Sequence, residues 1–177
     1  DGDADLDILV GYFNSGIEIY YNQFIETGSA TFIKDIVTVD SGFSYLVQSI
    51  FADVNNDRVM FLVSVDNSTG DVEWLSKIKN GASTLNVLNY DPDLDEKIIA
   101  RPGAVGIADV DNDNINDVII TDAGTGDNAL IWFKGVLLDS PSVTPVLEAD
   151  SNHQAYSITI DDFDNDGLND IAYAGYS

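Results

Sequence analysis

Aspartate residues at a fixed spacing are the feature of this sequence with the clearest chemistry. The segment 162–170 carries aspartate at positions 1, 3, 5 and 9 of a nine-residue pattern, with Gly167 at position 6. The segment 109–117 carries the same four aspartates, with Asn114 in place of the glycine. Oxygen ligands in this number suit Ca²⁺, which takes about 6–8 of them, whereas Zn²⁺ prefers nitrogen and sulfur and Mg²⁺ demands a tighter octahedron. The two segments therefore predict calcium loops.

Each complete loop offers four carboxylates and, at position 7, a backbone carbonyl. Glycine or asparagine at position 6 accepts the left-handed backbone that curls such a loop around an ion. An EF-hand requires glutamate at position 12 between two helices, but position 12 here is Ile120 or Tyr173 and both flanks are strand-like. The predicted ligands are Asp109, Asp111, Asp113, Ile115 and Asp117 in one loop and Asp162, Asp164, Asp166, Leu168 and Asp170 in the other.

Two further segments match the pattern in part. The segment 53–61 has Arg58 at position 6 and Phe61 at position 9. A cation at the site and a missing carboxylate both oppose metal binding, so this loop is predicted to be empty. The segment 1–7 begins at position 3, and its candidate ligands are Asp1, Asp3 and Asp7.

The four segments recur at a nearly constant period, since their ninth positions, residues 7, 61, 117 and 170, lie 54, 56 and 53 residues apart. Each period holds about four short apolar runs and no helical periodicity. Four strands in ~40–50 residues is the anatomy of a propeller blade. The sequence thus predicts an all-β fold, a segment of a β-propeller with four-stranded antiparallel blades, comprising about three blades plus part of another. The units are about 1–52, 53–108, 109–161 and 162–177, in a single domain or a fragment of one.

The predicted strands fall into three sets within each period. Strands lead into the loops at 45–52, 104–108 and 155–160. Aromatic strands follow turn residues at 17–21, 72–75 and 129–133, and Tyr20, Trp74 and Trp132 are aligned in them. Weaker outer strands are predicted at 32–39, 84–90 (or 97–100) and 143–147.

The two complete loops, with the apolar pairs Val118-Ile119 and Ile171-Ala172 after them, resemble the FG-GAP/VCBS repeat of integrin α-chains and many secreted microbial and algal proteins. The segment 17–22 is similar to the aromatic strand of that repeat. The resemblance implies a β-propeller, calcium between the first two strands of a blade, and an extracellular or secreted location at the cell surface.

Composition excludes several classes of function. The chain has 26 aspartates and 5 glutamates against 7 lysines and arginines, a net charge of −24, and no cysteine. Nucleic-acid binding requires basic residues, and a spanning helix needs ~20 apolar residues, so neither nucleic-acid binding nor direct membrane insertion is expected. Thiolate catalysis is excluded as well. Because the chain begins and ends inside the pattern, we expect a segment of a longer polypeptide, with a small closed propeller as the alternative.

The predicted function is a non-catalytic calcium-binding propeller that serves adhesion, protein or glycan binding, or assembly with neighbouring subunits. The alternative is the propeller scaffold of a secreted carbohydrate-active enzyme. For that alternative the candidates are His153 and the pair Asp93 and Asp95, which we interpret instead as a surface-loop residue and a solvated turn. Trp74 and Trp132 are interpreted as packing between blades, with a sugar platform as the alternative.

Overall fold

A computed structural model describes residues 6–12, 16–37, 46–53, 61–66, 72–76, 85–87, 90–91, 96–97, 101–124, 130–134 and 154–176. These residues form an all-β structure of small antiparallel sheets, as predicted. In each sheet the strands follow one another in chain order, so each sheet is a simple meander. Within the described ranges the sheets do not close on one another.

The first two sheets come from the first half of the chain. The first sheet contains β1 (Ile8–Tyr12), β2 (Gly16–Asn22) and β3 (Phe32–Val37), with the short helix α1 (Phe24–Thr27) between β2 and β3. The second sheet contains β4 (Leu46–Ala52), β5 (Phe61–Asp66), β6 (Val72–Ser76) and β7 (Leu85–Val87).

A small hairpin separates these sheets from the rest of the chain. It pairs β8 (Tyr90–Asp91) with β9 (Glu96–Lys97). The third sheet contains β10 (Pro102–Ala108), β11 (Asp117–Asp122) and β12 (Leu130–Phe133). The fourth sheet pairs β13 (Gln154–Asp161) with β14 (Asp170–Tyr176).

The strands that lead into the acidic segments are confirmed. β4, β10 and β13 each end at such a segment, and β5, β11 and β14 return from it as the antiparallel partner. The acidic segments are therefore the connections of three β-hairpins. This placement fixes the ends of each segment at the spacing of neighbouring strands, ~5 Å.

The three hairpins also share an irregularity. The register shifts once in the first strand of each, and the extra residue is Val47, Gly103 or Tyr156. In all three hairpins this residue lies six places before the first loop position. A bulge at the same place bends the three strands in the same way.

The third sheet is the centre of the core. All six residues of β11 are buried, and Ile119, Ile120 and Phe133 are completely inaccessible. β10 contacts β4 and β5 of the second sheet as well as β13 of the fourth, and β1 of the first sheet contacts β4. The sheets thus pack in chain order, with the third sheet covered on both faces.

The outer and aromatic strands match the predictions in part. β2, β6 and β12 lie in the predicted aromatic strands, and β3 and β7 lie in two predicted outer strands. Only the second sheet has four strands within the described ranges, and the outer strand predicted at 143–147 lies outside them.

The alignment of Tyr20 with the tryptophans is wrong by one residue. Trp74 and Trp132 pair with the residue two places after position 9 of their loops, whereas Tyr20 pairs with Ile8, one place after it. Ile19 is therefore the equivalent of the two tryptophans. Because neighbouring residues of a strand face opposite sides, the shift places Tyr20 on the other face of its sheet.

Two glycines of β10 allow the third and fourth sheets to approach closely. A Cβ atom at Gly103 would overlap the carbonyl oxygen of Ala155, and one at Gly106 would lie 2.7 Å from Cδ1 of Ile160. The first obstacle is backbone, whereas the second is the end of a side chain that can rotate. An added methyl group should therefore be tolerated less well at Gly103 than at Gly106.

We predict that Gly103→Ala lowers the free energy of unfolding by roughly 1–3 kcal/mol, the usual cost of overpacking. Gly106→Ala is the matched control and should cost less, because Ile160 can move aside. Urea denaturation of the two variants measures the difference. Equal losses, or a larger loss at Gly106, would contradict the packing of β13 on β10.

Candidate metal centre

The third acidic loop, residues 109–117, connects β10 to β11 and is held by hydrogen bonds to its own carboxylates. Asp109 accepts the backbone N–H groups of Asp113 at 3.1 Å and of Asn114 at 2.8 Å. Asp117, completely buried, accepts the N–H of Val110 at 3.0 Å, and Asp113 accepts that of Ile115 at 2.9 Å. Positions 1, 5 and 9 of the loop are thereby fixed in orientation.

The fourth acidic loop, residues 162–170, connects β13 to β14 and repeats this network. Asp162 at position 1 accepts the N–H groups of Asp166 and Gly167 at 3.0 and 2.9 Å. Asp170 at position 9 accepts the N–H of Phe163 at 3.0 Å. Asp166 at position 5 accepts the N–H of position 7 at 2.8 Å. The same donor and acceptor positions thus occur in both loops.

Left-handed backbone occurs at the same two positions of both loops. At position 4, Asn112 and Asn165 have φ of 60° and 63°. At position 6, Asn114 and Gly167 have φ of 68° and 92°. Asparagine and glycine adopt this conformation most readily, so the replacement of glycine by Asn114 preserves the loop, as predicted from the sequence.

Three carboxylates converge in each loop, but not the same three. In the third loop, oxygens of Asp109, Asp111 and Asp117 lie within 4.8 Å of one another. In the fourth loop the corresponding group is formed by positions 1, 3 and 5. The fourth predicted carboxylate of each loop, Asp113 or Asp170, lies outside its group and accepts a backbone N–H.

The chemistry of these groups fits a hard cation. Carboxylate oxygens at such distances repel one another, and a cation between them would offset that repulsion. Oδ1 of Asp111 is buried without a hydrogen-bond partner. Such an orphaned carboxylate oxygen is the kind of acceptor that a cation satisfies. The backbone N–H groups of Ile115 and Leu168 donate hydrogen bonds within the loops. Metal ligation by the carbonyl groups of these two residues stays a prediction.

Lys134, the residue after β12, adds a positive charge to the third loop. Its ammonium group forms an ion pair with Asp111 and lies 4.0 Å from Asp113. The hydrogen bond to Asp111 raises the pKa of Lys134 above its usual value. The ammonium group of Lys134 would therefore compete with a metal ion for the carboxylate of Asp111.

Asparagine at position 8 links neighbouring loops, a role that the sequence pattern did not reveal. The Asn116 side chain donates to the backbone carbonyl of Asp53 at 2.6 Å, and Asn169 donates to that of Asp109 at 2.7 Å. Both bonds run from position 8 of one loop to position 1 of the preceding loop. The recurrence of asparagine at position 8 of the two complete loops was the only available signal.

The two partial loops are described less completely. Asp1 and Asp3 lie outside the described residues, whereas Asp7 accepts the N–H of Asn22 at 2.9 Å. Residues 54–60 also lie outside them, so the prediction that the second loop is empty stays a prediction.

Most of the remaining sequence candidates fall outside the part of the chain that the structure describes. His153, Asp93 and Asp95 lie outside the described residues. Trp132 is partly buried in the third sheet, and its Nε1 is buried without a hydrogen-bond partner. This placement agrees with a packing role for Trp132, and it also leaves one donor available.

A second cluster of titratable groups lies on the first sheet. Glu18 accepts hydrogen bonds from the hydroxyls of Tyr12 at 2.8 Å and Tyr20 at 2.7 Å, and it pairs with Lys34. Lys34 first, and then the two hydroxyls, lower the pKa of Glu18 to about 2. The hydrogen bond to Glu18 raises the pKa of Tyr12 to about 12. The cluster therefore holds one carboxylate in its charged form.

Comparisons of the chain with protein-family models, curated proteins and solved structures give no match. The resemblance to the FG-GAP/VCBS repeat thus depends on the residues of the loops and strands themselves. The helix within the described ranges has four residues, and none there has the length and apolarity needed to cross a membrane.

The link between the loops is testable without metal. Asn169→Ala removes the hydrogen bond to Asp109 and should lower the free energy of unfolding by about 0.5–1.5 kcal/mol, the net value of one such bond. Asn116→Ala removes the corresponding bond to Asp53 and should cost a similar amount. Urea denaturation in the presence of a chelator measures both variants, and wild-type stability of either one would contradict the link.

Proposed function

We propose that the chain is a non-catalytic, calcium-binding β-propeller segment of the FG-GAP/VCBS type. The observation that carries the proposal is the hydrogen-bond network that the third and fourth loops share, together with the three carboxylates that converge in each loop. A sequence that only required two tight turns would have no need for converging charges. Calcium supplies the positive charge and the coordination that such a group lacks.

The proposed ligands follow the loop positions. The converging carboxylates are the first ligands, and the position-7 carbonyls of Ile115 and Leu168 each add one oxygen. Asp113 and Asp170 contribute after a change of side-chain rotamer. In both loops the ligands belong to the connection of a β-hairpin, so an ion would fix the two strands of each hairpin to each other.

The propeller architecture is supported by the meander order of each sheet, the bulge common to three hairpins and the packing of the sheets in chain order. A four-stranded meander, as in the second sheet, has the anatomy of one blade. The proposed location is extracellular, where calcium is abundant enough for moderately strong sites. The proposed partners are a protein or glycan ligand, or neighbouring subunits of an assembly.

Calcium should stabilise the chain. Thermal unfolding with excess calcium, compared with a chelator, should show a higher Tm, corresponding to about 2.7 kcal/mol for each site when free calcium is 100 times its Kd. Calorimetric titration should count a strong site in each of the third and fourth loops. Asp111→Asn and Asp164→Asn should each remove one site, and the double variant should remove both.

Glu26→Gln is the matched control for charge, since it removes one negative charge from the exposed helix α1, which belongs to none of the acidic loops. This variant should retain the full calcium response. Wild-type unfolding that is indifferent to calcium would refute the proposed function. A response that survives the double variant would refute the assignment of the sites.

Lys134 should weaken the third site. In the Asp164→Asn background, where only the third site remains, Lys134→Met should tighten calcium binding several-fold, because no ammonium group then pairs with Asp111. Lys34→Met removes the same charge from the first sheet and is the matched control. Titration calorimetry distinguishes the two, and unchanged affinity in Lys134→Met would contradict competition by the ammonium group.

A further inference from the structure

Asn169 lies between two proposed calcium ligands of the fourth loop. Leu168 before it offers a backbone carbonyl, and Asp170 after it occupies position 9 and accepts the N–H of Phe163. The side chain of Asn169 leaves its own loop and donates a hydrogen bond of 2.7 Å to the backbone carbonyl of Asp109. One residue is therefore held in the fourth loop by its backbone and attached to the third loop by its side chain.

The residue that accepts this bond, Asp109, is itself a proposed ligand of the third loop. It occupies position 1, and its carboxylate accepts the N–H groups of Asp113 and Asn114 at 3.1 and 2.8 Å. The same carboxylate belongs to the converging group of the third loop. The position of the Asp109 backbone therefore determines where one proposed ligand and two hydrogen bonds of that loop lie.

The hairpins that carry the two loops are packed against each other. β10 contacts β13, and a Cβ atom at Gly103 would overlap the carbonyl oxygen of Ala155. The hydrogen bond of Asn169 is partly buried, and the two residues that it joins are 60 positions apart in the sequence. Because the loops are the connections of these packed hairpins, a change in the fourth loop reaches the third through one hydrogen bond and its packed surroundings.

The same link occurs one loop earlier in the chain. Asn116, at position 8 of the third loop, donates to the backbone carbonyl of Asp53, at position 1 of the second loop, at 2.6 Å. The second loop has Arg58 at position 6 and Phe61 at position 9, and it is predicted to be empty. Of these two links, the one made by Asn169 therefore joins two proposed calcium sites.

Filling of the fourth loop would change the surroundings of Asn169. Leu168 and Asp170, as ligands, would both be fixed in place, and they are the residues directly before and after Asn169. A backbone that is already ordered loses less conformational entropy when its side chain forms a bond. The bond from Asn169 to Asp109 should therefore be firmer when the fourth loop holds an ion than when it does not.

Electrostatic repulsion between bound ions opposes such a coupling. Each loop carries four aspartates and no other charged residue, so one calcium ion changes its formal charge from −4 to −2. A filled loop therefore attracts a second ion less strongly than an empty loop does. Salt screens this effect, because the Debye length falls from ~10 Å at 0.1 M to ~3 Å at 1 M. High salt thus isolates the contribution of the hydrogen bond.

We propose that calcium binding in the third and fourth loops is cooperative and that Asn169 is the positioning residue that couples them. The inference rests on the proposed calcium sites. With the fourth loop filled, Asn169 holds Asp109 in place, so part of the ordering cost of the third site is met before that site binds its ion. By linkage, filling of the third loop raises the affinity of the fourth loop by the same factor.

The coupling factor is measured by three calcium titrations in 1 M salt. Asp164→Asn leaves the third site and gives its affinity, Asp111→Asn leaves the fourth site and gives its affinity, and the wild type gives the overall constant for filling both. The overall association constant divided by the product of the two single-site constants is the coupling factor. We expect a factor of roughly 2–10, the equivalent of the net contribution of one hydrogen bond.

Asn169→Ala, introduced into each of the three proteins, should reduce the factor to about 1, the value for independent sites. Asn116→Ala is the matched control, because it removes the same kind of hydrogen bond, from position 8 of the third loop to Asp53. This control should leave the factor unchanged. Since the factor is a ratio, any change that a substitution causes in the intrinsic affinity of one site cancels.

Amide hydrogen exchange, followed by NMR, gives a second readout in a protein with one site. In Asp111→Asn, calcium binds at the fourth loop alone. It should nevertheless slow exchange of the N–H groups of Asp113 and Asn114, which donate to position 1 of the third loop. Asn169→Ala should abolish this slowing, whereas Asn116→Ala should retain it.

The outcomes separate this inference from the proposed function. If each single-site variant binds calcium but the wild-type factor is 1, the sites stand and the coupling is refuted. A factor that survives Asn169→Ala, or that Asn116→Ala lowers equally, would also overturn the role of Asn169, as would exchange in the third loop that ignores calcium in the fourth. A wild type that binds no calcium would refute the proposed function and the coupling with it.

Discussion

The convergence of like charges inside a nine-residue hairpin connection is the constraint on which the acidic loops depend. Carboxylates at position 1 of both loops each accept two backbone N–H groups, and position 9 accepts a third. Three carboxylate oxygens of each loop lie within 4.8 Å of one another, although Coulomb repulsion opposes that arrangement. The proposed calcium ions offset the repulsion. Without a bound ion, the aspartates would still accept backbone N–H groups in each loop, but no ion would offset their mutual repulsion.

The strand ladders make this geometry possible. Position 9 of the third loop, Asp117, pairs with Ala108, and its counterpart Asp170 pairs with Asp161, the residue before position 1. Each loop therefore begins and ends at a single cross-strand pair. Because the loop is short, its backbone has little conformational freedom between these two ends. Asn169 then links position 8 of the fourth loop to position 1 of the third loop. This hydrogen bond fixes the position of the fourth loop relative to the third.

Packing between sheets explains the buried and exposed surfaces. Gly103 and Gly106 bring β10 close to β13, and β11 between its neighbours becomes inaccessible along its whole length.

The sequence by itself determined the local features, because they depend on residue type and spacing alone: strands around each acidic segment, a turn with aspartate at fixed positions, and asparagine accepted at position 6. It failed at the register of Tyr20, because the length of a hairpin loop sets which residues face each other and residue type does not. Only the tertiary structure decided that Asn169 reaches Asp109 and that Lys134 pairs with Asp111. Those contacts join residues of different elements, and their positions follow from the packing and pairing of whole strands.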